Sequence, residues 1–345
     1  MAHRWKQRPP GSNWGDFGAD DQLGRLNLIT AAKVQQGAAE VKEGRSFCLS
    51  LPLDFPGESG LNKLRHPPRL RPTELAGVPF MNRPLSHTDP RATDVICDDE
   101  VTLSLQYSTQ WDGLAHVGQW FDADGDGQPE KVYYNGYRAH EHILGPGDAG
   151  VAATGQDGSS RALALGIENF AVHSIQGRGV LVDLHAHLGR KRVMVGYDEL
   201  TAILRADGVE LETGDMLLLH TGFAELLLEM DRRPDKAVLS RSCAVLDGRD
   251  ERLLQFITDT GVAALCADNY AVEAYPAREA EGRRALLPLH EHCLFKLGVP
   301  LGELWWLTEL AAWLRLHHRS RFLLTAPPLR LPGAVGSPVT PVATV

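Results

Sequence analysis

The sequence predicts a single α/β domain, and three observations support this fold class. Continuous apolar runs typical of buried strands alternate with amphipathic helical segments between residues 179 and 325. The chain has no internal repeat, no low-complexity linker and no step in composition that would mark a domain boundary. With 43% hydrophobic and 23% charged residues in a total of 345, the composition is that of a globular protein with a sizeable core.

The N-terminal part is predicted to form an arm and one helix. A polar lead rich in Pro and Gly precedes Thr30, a good N-cap residue, and a helix over residues 31–41. Because the arm has little core of its own, we expect residues 1–60 to pack on the core or on a neighbouring subunit, and residues 61–345 to form one domain. Residues 55–98 carry many Pro and Arg residues and little periodicity, which is typical of a lid or a binding loop.

Strands and helices are predicted to alternate through the rest of the chain. A strand over residues 101–105 is expected to deliver the polar residues after it into a site. Buried strands are predicted at residues 179–184, 215–220 and 261–266, and a further strand at residues 322–325. Helices are predicted at residues 197–204, 249–258, 286–297 and 304–314. Extended, Pro-rich chain follows to the end.

Charge and cysteine content narrow the class of function. A net charge of -9 repels phosphate backbones and anionic membranes, so we expect neither a nucleic-acid nor a membrane partner. Five cysteines without a C-x-x-C pair suggest neither a disulfide framework nor a thiolate zinc site. No apolar run approaches the ~18 residues of a membrane span. We therefore expect a cytoplasmic protein that acts on a small molecule.

One short segment concentrates groups able to carry out acid-base chemistry. Gln106, Gln110, Asp112 and His116 follow the strand predicted at residues 101–105 at even offsets, so their side chains can face one side. A carboxylate can hold an imidazole in one tautomer, and two neighbouring carboxamides can hydrogen-bond an amide or an ester. This pattern favours a catalytic centre between residues 106 and 116.

The same segment, Q-Y-S-T-Q-W-D-G-L-A-H, resembles the signature H-x-G-T-H-x-D-x-P-x-H of the putative-cyclase superfamily, which includes kynurenine formamidase and isatin hydrolase. Thr109, Asp112 and His116 match that signature. Segments similar to other landmarks of the family's longer members lie at residues 21–27, 134–136, 178–183, 214–215, 268–269, 289–290, 301–303 and 336–338. The resemblance implies a swivelling β/β/α-like fold with a mixed, partly barrel-like sheet, and a homodimer or homotetramer.

The resemblance also implies residue roles. Asp112 is similar to the family's bridging metal ligand and His116 to its general acid/base, while His290 and Glu303 resemble the ligands from the C-terminal half. One divalent Mn or Zn is therefore expected. However, Gln106 and Gln110 replace the two motif histidines, and a carboxamide oxygen is a poor ligand for these metals. If no metal binds, these amides would donate to a carbonyl or enolate oxygen instead.

Five residues are candidates for contact with substrate. Trp111 and Trp120 flank the segment and could stack on an aromatic or bicyclic molecule. The resemblance adds Tyr134 and Asn135, and His173 is a further candidate.

The expected reaction is hydrolysis of a C-N or C-O bond in a small cyclic or aryl amide, imide or lactone. Two alternatives stay open, a metal-independent polyketide-type cyclase or dehydratase and a catalytically inactive homologue that binds a small ligand.

Two further patterns are predicted to be structural. The acidic loop that starts at Asp122 has Tyr133 where a Ca²⁺ loop needs a bidentate Glu, so a polar turn is expected. His185 and His187 are expected to form a surface pair, because no third ligand lies near them in sequence.

Overall fold

The computed structural model describes residues 4–57 and 60–345, and its centre is a mixed nine-stranded sheet that curls into a partial barrel. In chain order the strands are β1 (Ser46–Cys48), β2 (Gln110–Asp112), β3 (Gln176–Asp183), β4 (Met216–His220), β5 (Ala264–Ala267), β6 (Leu301–Glu303), β7 (Arg321–Thr325), β8 (Gly336–Pro338) and β9 (Val342–Thr344). Across the sheet their order is β1-β9-β7-β3-β4-β5-β6-β2-β8. Strands β3 to β6 pair in parallel and the flanking strands pair antiparallel. The predicted α/β class with a mixed, partly barrel-like sheet is confirmed.

Helices and loops cover the parallel centre of the sheet, since every residue of β4 and β5 is buried. The helices are α1 (Ala31–Ala39), α2 (Glu168–His173), α3 (Leu184–Leu188), α4 (Tyr197–Ala206), α5 (Phe223–Glu229), α6 (Lys236–Leu239), α7 (Glu251–Thr260), α8 (Pro288–His290, continued by a π-helix over Glu291–Leu297) and α9 (Thr308–Leu316). Short 3₁₀ turns lie at Gly24–Leu28, Leu85–His87 and Tyr134–Gly136. In the described ranges, no helix has the length and apolar character needed to cross a membrane.

Capping groups explain where two predicted helices begin. Thr30 caps α1 as predicted, since its Oγ1 accepts a hydrogen bond from the Lys33 amide at 3.3 Å. The helix predicted at residues 249–258 is displaced to α7, because the Asp250 carboxylate accepts hydrogen bonds from two backbone amides of the first turn. Gly261 ends α7 in the left-handed region, with φ 67°.

Three strand predictions need correction. The strand predicted at residues 101–105 is part of an exposed ribbon, in which Asp99–Thr102 pairs with Arg69–Pro72, and β2 is the strand that enters the site. Strand β6 lies where a gap between two helices was predicted, and β8 and β9 lie in the Pro-rich C-terminal chain. These strands have only three residues each, too few to show a periodic pattern.

Several two-stranded ribbons surround the sheet. Residues 55–98 supply two of them, Glu74–Leu75 with Val78–Pro79 and Arg83–Pro84 with Val95–Ile96, besides the ribbon already described. The others pair Gln119–Phe121 with Glu130–Val132, Ile143–Leu144 with Arg161–Ala162, and Met194–Val195 with Val245–Leu246.

The N-terminal arm packs on the core of its own chain. The Trp14 indole is buried and donates its Nε1–H to the Phe295 carbonyl at 2.7 Å. Backbone at Gly24 lies so close to Gly298 that a Cβ there would be 2.1 Å from the Gly298 carbonyl oxygen. Strand β1, which belongs to the predicted arm, pairs with β9 at the sheet edge. The described part of the first sixty residues therefore adds an edge strand to the central sheet and packs over the same hydrophobic core.

Candidate active site

Two neighbouring antiparallel strands carry the polar side chains of the site. In the register of β2 and β6, Gln110 lies opposite Glu303 and Asp112 lies opposite Leu301. Because side chains alternate along a strand, Gln110 and Asp112 share one face of the sheet while Trp111 points to the other. The side chains of Gln110, Asp112 and Glu303 are all buried.

His290, from the end of α8, completes a cluster of three groups that could ligate a metal. Its Nε2 lies 3.3 Å from Glu303 Oε1 and 3.9 Å from Asp112 Oδ2. The ligand atoms of the three residues lie within 4.8 Å of one another. Two carboxylates and one imidazole are a suitable donor set for Zn²⁺ or Mn²⁺. The structure thus brings together the three residues that the resemblance implied as ligands.

Glu273 holds the imidazole of His290 in place, and the sequence analysis did not identify it. Its carboxylate accepts hydrogen bonds from the backbone amides of Leu289 and His290, each at 3.0 Å, and from His290 Nδ1 at 2.7 Å. These bonds leave His290 Nε2 directed at Asp112 and Glu303. A carboxylate behind a ligating histidine is the usual device that fixes the tautomer and raises the basicity of the ligand.

The sequence signal for Glu273 is weak. It is an acidic residue between Val272 and Ala274, which are both buried, and a carboxylate is rarely buried without partners. The chain reaches it through left-handed backbone at Ala271 (φ 75°) and Val272 (φ 56°). Such backbone is costly for a β-branched residue and tends to occur at functional sites. Only the structure reveals this strain.

Gln110 bridges the two carboxylates of the cluster. Its Nε2 donates to Glu303 Oε2 at 3.0 Å and to Asp112 Oδ1 at 3.2 Å. Gln110 Oε1 and Asp112 Oδ2 are buried without a hydrogen-bond partner among the described atoms. A half-turn of the amide would exchange its nitrogen and oxygen and direct Oε1 at a cation held between the carboxylates. The donor set and the unpartnered Asp112 oxygen therefore fit a divalent metal.

The electrostatics of the cluster depend on burial and on mutual contacts. Burial raises the pKa of Asp112, and the nearby Glu303 carboxylate raises it further. For Glu303, burial is outweighed by the hydrogen bond and the charge of His290, and its pKa is lowered. For His290, burial is likewise outweighed by hydrogen bonds to Glu273 and Glu303, which raise its pKa to about 10. Without a metal, His290 is thus the cation that neutralises this cluster.

The two other predicted catalytic residues lie at the edge of the cluster. The His116 side chain is 21% exposed, and its Nε2 lies 3.7 Å from Asp112 Oδ1. Gln106 is half-buried against Gly336, where an added Cβ would lie 2.4 Å from Gln106 Nε2. Because Gly336 pairs with Asp112 in the sheet, Gln106 lies beside the strand that carries Asp112. His116 therefore combines contact with the cluster and access to solvent.

Arg65 approaches the cluster from residues 55–98, and no sequence pattern separates it from the other arginines there. Its Nη1 is buried, lies 3.9 Å from Glu303 Oε2 and has no hydrogen-bond partner among the described atoms. Its guanidinium carbon lies 5.8 Å from the centroid of the Tyr270 ring. The segment that was predicted to be a lid or binding loop thus brings a cationic donor without a described hydrogen-bond partner to the site.

The tryptophans predicted to contact substrate lie in different environments. Trp111 is fully buried, donates its Nε1–H to the Ala326 carbonyl at 2.8 Å and packs edge-on against Trp305. This is a correction, since strand alternation turns Trp111 into the core, where no substrate can reach it. Trp120 is 60% exposed on a ribbon, with the Lys131 ammonium 5.6 Å from its ring centroid.

Tyr134 and Asn135 anchor the N-terminal arm. The Tyr134 hydroxyl donates to Asp21 Oδ2 at 3.2 Å, and Asn135 Nδ2 donates to the Asp21 carbonyl at 3.0 Å. Both side chains are fully buried, so these landmark residues hold the arm in place and leave no group free for a substrate. His173 is half-buried at the end of α2, and among the described residues it has no hydrogen bond or ion pair with Asp112, His290 or Glu303.

A second group of titratable side chains lies at the ends of β3 and β4. Contrary to the expected surface pair, His185 has two nearby partners, since Asp183, His185 and His220 place their ligand atoms within 4.8 Å. His220 Nδ1 lies 2.8 Å from Asp183 Oδ1, and Arg315 pairs with the other Asp183 oxygen. This cluster already contains its own cations, and it is best described as a buried ion-pair network.

The loop that starts at Asp122 forms the predicted polar turn. The Asp122 carboxylate accepts hydrogen bonds from the backbone amides of Gly125, Asp126 and Gly127.

Comparisons with known proteins identify relatives of this fold. The family model described as "Putative cyclase" matches residues 49–274. A crystal structure of a novel cyclase has 30% sequence identity and a TM-score of 0.73, covering 98% of this chain and 100% of that chain. Isatin hydrolase A from Labrenzia aggregata has 12% identity and a TM-score of 0.55 over 91% of this chain and 98% of its own. Isatin hydrolase A from Ralstonia solanacearum has 13% identity and a TM-score of 0.53, covering 91% of this chain and 94% of that chain. No curated protein matches the chain.

Proposed function

The chain belongs to the putative cyclase family of enzymes, and from this premise we propose that it hydrolyses a C-N or C-O bond in a small cyclic or aryl amide, imide or lactone. The observation that carries the proposal is the preformed cluster of Asp112, His290 and Glu303, in which Asp112 Oδ2 is buried without a partner. The likeness in fold to isatin hydrolases is consistent with it, since those proteins are named as hydrolases of isatin.

Asp112, His290 and Glu303 would hold one divalent Mn or Zn, and Glu273 would keep His290 in the ligating tautomer. Bound there, such an ion supplies Lewis acidity toward a substrate carbonyl and lowers the pKa of a coordinated water. Gln110 would add its Oε1 as a weak fourth ligand after a half-turn of its amide. Because that oxygen replaces an imidazole, we expect the metal to bind less tightly than it would to a site with histidine at this position.

His116 is positioned to move the proton that the reaction requires. Its side chain is 21% exposed and its Nε2 lies 3.7 Å from Asp112 Oδ1, so the imidazole reaches the cluster from the solvent side. In the proposed reaction, His116 Nε2 takes a proton from the attacking water and returns it to the leaving nitrogen or oxygen. Arg65 Nη1 is buried, has no hydrogen-bond partner among the described atoms and lies 3.9 Å from Glu303 Oε2, so it could stabilise negative charge on a substrate oxygen at the same centre.

The test combines metal analysis with turnover. We expect close to one Mn or Zn per chain, loss of turnover in chelator and recovery when metal is returned, with isatin, an aryl formamide and small lactones as first substrates. Asp112→Asn and Glu303→Gln should lose the metal, whereas Glu309→Gln, at an exposed position on α9, should retain it. His116→Gln should retain the metal and lose about 10²–10⁴-fold in turnover.

One observation favours a second candidate, a metal-independent cyclase or dehydratase. The amide of Gln110 satisfies both carboxylates, and His290 supplies the neutralising charge without any ion. This candidate predicts turnover that chelator leaves unchanged and that His116→Gln abolishes. Gln110→His separates the two further, because a regained imidazole should tighten metal binding in both cases but raise turnover only in the hydrolase. Ligand binding without turnover under all conditions would indicate an inactive binding homologue.

A further inference from the structure

A cavity of about 430 Å³ lies next to the candidate site. Its size is within the usual range for small-molecule pockets. The residues that matter for its chemistry are Lys63, Arg192, Lys236, Phe223, Leu239 and Tyr270. We refer to it as the cationic cavity, because three of these side chains are basic and none of the lining residues that the structure describes is acidic.

Tyr270 connects the cationic cavity to the cluster of Asp112, His290 and Glu303. The Tyr270 ring lines the cavity and lies 5.8 Å from the guanidinium carbon of Arg65. Arg65 in turn places its unpartnered Nη1 3.9 Å from Glu303 Oε2. Arg65 and Tyr270 thus form a chain of contacts from the cluster to the wall of the cavity.

The basic groups of the cavity have no acidic partner in the part of the chain that the structure describes. Across residues 4–57 and 60–345, no carboxylate lies within ion-pair distance of Lys63, Arg192 or Lys236. Arg192 is half-buried, and burial lowers its pKa, as expected for a guanidinium without a carboxylate beside it. By contrast Arg190, two residues earlier, forms ion pairs with two glutamates. The chain has a net charge of -9, so a group of three basic side chains without described acidic partners is unusual in it. Such a group favours the binding of an anionic ligand in the cavity.

We propose that the cationic cavity binds a carboxylate group on the substrate, with Arg192 as its main partner and Lys63 and Lys236 at the rim. The proposal rests on the proposed function, since the cluster next to the cavity is taken as the reacting centre. Phe223 and Leu239 supply an apolar wall, so the group that joins the carboxylate to the scissile bond is apolar or aromatic. The substrate class is therefore an anionic amide, imide or lactone.

Binding is measured by titration calorimetry of the full-length protein with phenylacetate and with phenylacetamide, which have the same shape but differ in charge. We expect phenylacetate to bind at least tenfold more tightly, and Arg192→Gln to remove about tenfold of that preference, as for loss of one charged hydrogen bond. Lys42→Gln changes the net charge equally at an exposed position that does not line the cavity, and it should bind phenylacetate as the wild type does. Lys236→Gln, at an exposed position, gives a second variant if Arg192→Gln does not fold.

Two results would overturn the inference. Equal affinity for the two probes would show that the cavity does not select an anion. Loss of phenylacetate binding in Glu303→Gln but not in Arg192→Gln would place the carboxylate at the cluster instead. Neither result depends on turnover, so the hydrolase proposal is judged separately by metal content and chelator sensitivity.

Discussion

The role assigned to Glu273 can be tested with Glu273→Gln, a change that keeps the size of the side chain. The carboxylate is fully buried and accepts three hydrogen bonds at 2.7, 3.0 and 3.0 Å, one from the imidazole of His290 and two from backbone amides. The amide in Gln has only one oxygen to accept them, and its NH₂ group would face donors. Loss of such a partner behind a metal-ligating histidine typically weakens metal binding 10–100-fold. At about 1.4 kcal/mol per tenfold change, this corresponds to roughly 1.4–2.8 kcal/mol.

The assay is a competitive titration of Zn²⁺ or Mn²⁺ against a colorimetric chelator, accompanied by urea unfolding of the metal-free protein. Glu279→Gln, at a glutamate whose side chain is 93% exposed, is the matched control and should leave metal affinity unchanged. A metal affinity of Glu273→Gln within twofold of the wild type would refute the argument that Glu273 fixes His290 as a ligand. The unfolding data separate this effect from general destabilisation of the protein. We expect that destabilisation to be about 1–3 kcal/mol, the cost of leaving a buried donor without an acceptor.

Two further predictions concern stability. For His220, burial is outweighed by the hydrogen bond to Asp183 and the charge of Asp268, which raise its pKa above 6.5. Its ionic contribution is thus complete below pH 6.5 and is lost as pH rises through the raised pKa, so wild type and His220→Gln should differ most in unfolding free energy at about pH 5.5. A difference that stays constant up to about pH 9 in urea titrations would contradict this. Trp14→Ala should cost about 3–5 kcal/mol, because its indole is the part of the arm that is buried against the core. Trp120→Ala, exposed on its ribbon, should cost under about 0.5 kcal/mol. Similar losses in the two variants would show that the arm contributes little to the core.

The accuracy of the element predictions follows the length of each pattern. Strand β4 and helix α4 have long apolar or amphipathic patterns, and they were predicted within a few residues of their observed bounds. Strand β6 was missed because three residues cannot show periodicity, although it carries Glu303. The strand predicted at residues 101–105 was misplaced because alternation fits an exposed ribbon as well as a half-buried sheet strand.

The sequence by itself determined the α/β class and the resemblance of the segment from Gln106 to His116 to a cyclase signature. These depend on local patterns, the apolar runs and the fixed spacing of polar residues. The tertiary structure decided that Trp111 faces the core, since that depends on which side of β2 is covered. It also decided that Glu273 and Arg65 join the site, because each is brought there by contacts between residues far apart in the chain. Such contacts leave no periodic trace in the sequence, so only the folded chain shows them.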